Sequence, residues 1–249
     1  MSLFLFAVIV IFATLGTAFL SSIIGMLGGL ILMGFLVSIM PVGSAMILHG
    51  LIQLTSNGYR AWLNRRNIDW SIIATLFIGN VIGLSVLVFI AFVPNQITVI
   101  LALGILPYIA LALPKNLSLD VTKKPIGVIA GMIVGAINLL AGVGGPLLDV
   151  FFQRVEMTRH QVVATKAVAQ SLGHISKVIF FGFLAVSASD GWPMLWLILI
   201  AMTASVIGTT LGKKVLDKIN DEIFFLWTQR ILLSLGGMFI IYGLYLISL

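Results

Sequence analysis

The chain reads as an all-α membrane protein built of two inverted-topology repeats, each a Gly-broken helical hairpin plus three transmembrane helices. Three observations carry that reading. Of 249 residues, 60% are hydrophobic and 9% charged, and the mean hydropathy is +1.19; a soluble domain carries roughly a quarter charged residues. A Gly-rich break occurs twice inside apolar sequence, as Gly25-Met-Leu-Gly28-Gly29-Leu and as Gly142-Val-Gly144-Gly145-Pro146-Leu. The halves also match in order and spacing, with Gly28-Gly29 answering Gly144-Gly145 at an offset of 116 and Gln53 answering Gln170 at 117. Lipid cannot satisfy a bare backbone N–H or C=O, so such breaks survive only where protein buries them or where they line a polar cavity. Gly and Pro interrupting apolar segments at corresponding places in two halves point to a transport site.

The first apolar run predicts a helix over 3–22, and a shorter one follows the break at 28–40. No Lys or Arg precedes the first run, so it reads as a retained membrane helix rather than a secretory signal. Helices are expected over 43–63, 69–93 and 97–113. Residues 114–125 form the only polar linker of any length and divide the chain into a first repeat, 1–113, and a second, 126–249. The second repeat follows the same plan, with helices over 126–141, 144–153, 160–186, 193–212 and 223–248. Trp62, Asp69-Trp70, Trp192, Trp196 and Trp227 fall near helix ends, where aromatic side chains anchor in the interface. The chain has no cysteine, which excludes disulfides, thiolate metal sites and thiol catalysis.

The net charge of +6 sits mostly in short loops, where it sets orientation and does not indicate nucleic acid. Arg60, Arg65 and Arg66 place the loop after 43–63 in the cytoplasm. The loop at 94–96 is uncharged and is expected outside. Lys115, Lys123 and Lys124 make the linker cytoplasmic. The loop at 187–192 carries only Asp190 and is expected outside. The loop at 213–222 counts as inside on Lys213, Lys214 and Lys218, with Asp217, Asp221 and Glu222 balancing them. Arg154, Arg159 and His160 bring the second hairpin back to the cytoplasmic face, whereas the first enters and leaves from outside. Equivalent loops thus lie on opposite sides, and both termini are expected outside.

The candidate site follows from these elements. A helix starting at a Gly break presents unpaired N–H groups and the positive end of its dipole, which suits an anion. Close helix packing is the plainer reading of a single break. His49, Gln53, Ser56, Asn57 and Arg60 share one helical face, and Lys166, Gln170, Gly173, His174 and Lys177 share the matching one. Ionisable groups in a membrane helix face the bundle interior or a watery path. Their donors suit an oxyanion with several acceptor oxygens. The alternative is a structural hydrogen-bond network, with Arg60 snorkelling at a helix end. A free imidazole titrates near physiological pH, which makes His49 and His174 candidates for proton coupling, against the plainer reading of hydrogen-bonded core residues. Asn138 and Asp149 flank the second break, and Asp149 is either a proton or cation carrier or half of an ion pair. Ser171 and His174 share a helix face, but no metal motif, nucleophile elbow or phosphate loop supports an enzyme.

Two related halves, each opening on a Gly-Gly stretch and followed by a polar helix with Gln and a cation, resemble the sulfite exporter TauE/SafE family of membrane transporters. The matching stretches are Gly25–Leu30 with His49–Arg60 and Gly142–Leu147 with Ala164–Lys177, and the resemblance covers essentially the whole chain. It implies a secondary transporter of a small (organo)sulfur or organic anion, such as sulfite or a sulfonate, in the bacterial cytoplasmic membrane, with no cofactor. The substrate is then expected between Gly25, Gly28, Gly29, Gly142, Gly144 and Gly145 and the stripes His49, Gln53, Ser56, Asn57 and Lys166, Gln170, His174, Lys177. Helix N-termini and Lys177 would neutralise it, and a proton or cation would be coupled through His49, His174 or Asp149. A passive anion channel and a non-transporting assembly subunit are the competing readings.

Overall fold

Trp70–Ile90 and Lys124–Ala141 run side by side so closely that a Cβ on Gly79 would meet the Val128 carbonyl, and one on Gly131 the Leu76 carbonyl. These helices belong to a computed structural model that describes residues 2–24, 27–113, 119–153, 155–185, 191–216 and 221–249. Gly25, Lys115, Arg154, Asp190, Asp217 and Lys218 lie outside the described residues. Among those described there are ten α-helices and no strands: α1 Leu3–Ile24, α2 Leu27–Ile39, α3 Val42–Leu63, α4 Trp70–Ile90, α5 Gln96–Ala112, α6 Lys124–Ala141, α7 Gly145–Phe152, α8 Arg159–Ile179, α9 Leu195–Leu216 and α10 Asp221–Ser248.

Six stretches, in α1, α4, α6, α8 with its continuation, α9 and α10, are long and apolar enough to cross a bilayer. Helix α3 matches α1 at 22 residues, about 33 Å at 1.5 Å per residue. It falls outside that set because His49, Gln53, Asn57 and Arg60 dilute its apolar character. That polarity is tolerated because the interior of the fold receives it: His49, Gln53, Ser56 and Asn57 are all buried.

Local chemistry sets the helix ends. The Asp69 carboxylate accepts from the Ser71 and Ile72 N–H groups at 2.9 and 3.1 Å, so Asp69 caps α4 and the helix starts one residue later than the apolar run. Ala91 takes a left-handed conformation, φ 53°, and stops α4 at Ile90, short of the expected residue 93. Thr158 and Gln161 exchange side-chain and backbone bonds in a capping box that opens α8. In the linker, the Thr122 N–H and hydroxyl donate to Asp120 and hold its carboxyl below the usual carboxylate value. The run expected as one helix over 160–186 is α-helical only to Ile179 and continues as a π turn, Phe180–Leu184. The Trp192 indole N–H donates to the Gly182 carbonyl in that turn at 3.1 Å.

The most extensive helix pairs are unchanged by exchanging α1–α5 with α6–α10. Helix α1 packs on α9 as α6 packs on α4, while α3 packs on α8 and α5 on α10. The α4–α6 contact is parallel, since Gly79 meets Val128 and Gly83 meets Met132, and so is α1–α9, where Leu15 meets Gly208 and Phe19 meets Gly212. Both α4 and α9 carry Gly-x-x-x-Gly at this contact, Gly79/Gly83 and Gly208/Gly212, the spacing that lets membrane helices approach closely. Helices α3 and α8 run antiparallel: Ser44 donates to the Gly191 carbonyl at 2.7 Å beyond one end of α8, and the Asp69 N–H donates to Thr165 at 3.0 Å near the other. The two Gly breaks lie beside this central α3–α8 pair.

Candidate functional site

Gly142 ends α6 in a left-handed conformation, φ 77°, that glycine adopts freely. Its position also has no room for a side chain, since a Cβ there would press on Met33 and Met46. The chain turns through Val143 and Gly144 and starts α7 at Gly145, with Pro146 in the first turn. The N-cap residue of α7 is Gly144, which has no side chain to cap the first N–H groups of the helix. The first break is flanked by α1 and by Gly28-Gly29 in the first turn of α2. Gly28 packs against the Thr17 carbonyl of α1, and Gly29 faces Gln53.

Between the breaks lies a cavity of about 40 Å³, lined by Ser21, Gly29, His49, Gln53 and Asn57 from the first half and by Asn138, Gly144, Gly145, Gln170 and His174 from the second, among others. That is room for roughly three waters at about 10–15 Å³ each. Three position pairs of the matched halves meet on this wall: Gly29 with Gly145, Gln53 with Gln170, and Asn57 with His174. The wall is rich in neutral hydrogen-bonding groups and has no carboxylate. Two groups on it have unmet capacity. Neither amide atom of Asn138 has a partner, nor has Nδ1 of His174, although all three atoms are buried. Buried polar atoms normally have a partner, and those that lack one call for a water, an ion or a ligand.

Lys177 does not line the cavity. It is fully buried behind His49, with Nζ donating to His49 Nδ1 at 2.6 Å and to the Gly142 carbonyl at 2.8 Å. His49 Nε2 reaches the Gly29 carbonyl at 2.9 Å. A carbonyl only accepts, so Nε2 bears the hydrogen and Nδ1 receives the Lys177 N–H. One chain of three hydrogen bonds therefore joins α2 at the first break to the end of α6 at the second. The His174 ring stands edge-on to His49, centroids 5.7 Å apart.

The remaining expected residues lie around this centre. Ser56 is bonded to Thr209 of α9 at 2.8 Å, and Gly28 is packed on α1, so neither reaches the cavity. Gly142 contributes its carbonyl to Lys177 rather than a wall. Lys166 is taken up in an ion pair with Asp149, both partly exposed, which joins α8 to α7. Arg60 keeps one buried guanidinium nitrogen, Nη2, without a partner. Ser21 is a lining residue that the polar stripes did not reveal. The alignment of the halves gave no signal for it, since at the offset of 116 that relates the two breaks Ser21 falls on Ile137.

Among the described residues, ten helices, six of them long and apolar enough to cross a bilayer, describe a multi-pass membrane protein with a small cavity at its two Gly breaks. The family model for sulfite exporter TauE/SafE matches residues 9–244 of the chain. No curated protein and no solved structure matches it. With the match spanning nearly the full length, the chain belongs to the sulfite exporter TauE/SafE family of membrane transporters.

Proposed function

We propose that the protein is a secondary transporter of a small oxyanion, sulfite or an anion of similar size, which binds in the cavity between the two breaks and crosses by alternating access of inverted halves. The observation that carries this reading is the cavity wall itself. It draws matched residues from both halves, offers the Asn138 amide and His174 Nδ1 without partners, and opens beside the uncapped start of α7. Gln53, Asn57 and Gln170 would orient the anion through their amide N–H groups, and the α7 N-terminus would contribute the positive end of its dipole. The cavity volume favours a compact anion over one with an organic tail. Inversion is supported by the antiparallel α3–α8 pair and by the pairing of α1 with α9 and α6 with α4, both of which suit a two-fold axis between the halves.

Thermal unfolding of the purified protein with sulfite, thiosulfate, sulfate, sulfonates and short carboxylates tests the site. A ligand at 100 times its Kd stabilises the native state by about 2.7 kcal/mol. The expected result is a saturable rise in Tm with the compact oxyanions, lost in Gln170→Ala. Folded protein that responds to no anion, or equally well in Gln170→Ala, would overturn the reading.

A further inference from the structure

Asp149 is the only carboxylate within helices α1–α9, and Lys166 already holds it. Among the described residues, Lys177 is therefore a fully buried amine with no acidic side chain paired to it. Its neighbours are a histidine nitrogen and a backbone carbonyl. Other ionisable groups around the Lys177–His49 pair are few. Helix α8 presents His174; α7 presents only the neutralised Asp149; α3 otherwise carries Tyr59 and Arg60, about three turns further on. Helix α2 has no ionisable side chain, α6 has only Lys124 at its first residue, and α9 has none before Lys213. A buried charge left without a counterion is costly by several kcal/mol. Intramembrane ionisable groups that persist commonly serve proton relays.

We infer that the Lys177–His49 pair is the proton site of the transport cycle, and that the anion in the cavity is the counterion this pair lacks. The inference rests on the anion-transport reading above. With the cavity empty the pair is neutral, Lys177 as the free amine beside His49. An anion entering against His49 brings one proton with it. That proton resides on Lys177 Nζ or passes along the single hydrogen bond to His49 Nδ1. The bonds to the Gly142 and Gly29 carbonyls are unchanged by that transfer, because each uses a different N–H. A monovalent anion then crosses with no net charge.

Calorimetric titration of the full-length protein with thiosulfate, whose own protonation is constant near neutrality, tests this in buffers of different ionisation enthalpy. Protons taken up per anion are read between about pH 6 and 9. Uptake is expected to approach one in the upper part of that range, with affinity falling up to about tenfold per pH unit there. Lys177→Arg, which keeps a permanent charge, should bind without uptake. Should that variant fail to fold, Lys177→Gln, which cannot hold the proton, is expected to lose the uptake in the upper part of the range, and uptake unchanged in it would count against the site in the same way. Binding without buffer-dependent heat across the range, or unchanged uptake in Lys177→Arg, would overturn the proton site and leave anion binding standing. Failure of sulfite and thiosulfate alike to bind folded protein would remove both.

Discussion

Asn138 is buried at the cavity with neither amide atom engaged, which makes it a direct probe of what the cavity holds. An unpartnered buried amide destabilises the fold, so Asn138→Leu is expected to leave Tm unchanged or raised. If the amide donates to an anion, the same change removes a charge-assisted bond of about 1.5–3 kcal/mol and weakens binding about 10- to 100-fold. An anion titration of the variant checks this, and unchanged affinity would take Asn138 out of the site. At this scale the sequence was partly legible. Gln53, Asn57, Gln170 and His174 stand out because amides and imidazoles are rare on apolar helices, and all four reach the cavity. Lys177 was placed on the right face but not with its partners. Helical spacing gives a face, while the reach of a long side chain to a histidine 128 residues away is a tertiary fact. Ser21 was overlooked because one serine in an apolar helix is ordinary.

At the level of helices, close packing rests on glycines that the two breaks overshadowed. A Cβ on Gly79 or Gly131 would strike backbone of the neighbouring helix, which cannot rotate away as a side chain can. Gly131→Val is therefore expected to lower Tm sharply, by overpacking worth about 1–3 kcal/mol or more. Gly58→Ala in α3 is the matched control, since nothing lies within 4 Å of its added Cβ. Relieving a helical glycine there should stabilise by about 0.5–1 kcal/mol. Thermal unfolding of both variants decides it, and equal effects would mean that the glycines do not set the α4–α6 approach. Most helices were legible as apolar runs bounded by Pro, Gly or charge. The π turn at Phe180–Leu184 was not, because only Gly182 interrupts its apolar sequence and its indole donor, Trp192, lies ten residues on.

Across the whole molecule, the sequence shows an ordered set of matches between its halves, and three matched pairs meet on one wall. The halves differ on either side of that wall. At the register position where α3 carries His49, tied to Lys177, α8 carries Lys166, tied to Asp149. The first tie is wholly buried and the second partly exposed; under the proposed alternating access the two would close opposite sides of the site unequally. This argument needs the halves to be inverted, and the absence of native cysteine makes inversion directly measurable. Asn67→Cys marks the turn between α3 and α4, and Met194→Cys marks the equivalent connection before α9. In intact cells a membrane-impermeant maleimide should label Met194→Cys, while Asn67→Cys should react only after permeabilisation. Labelling of both from the same side would make the repeats parallel. The buried and the exposed tie would then no longer guard opposite faces, and alternating access by exchange of the two halves would fail with them.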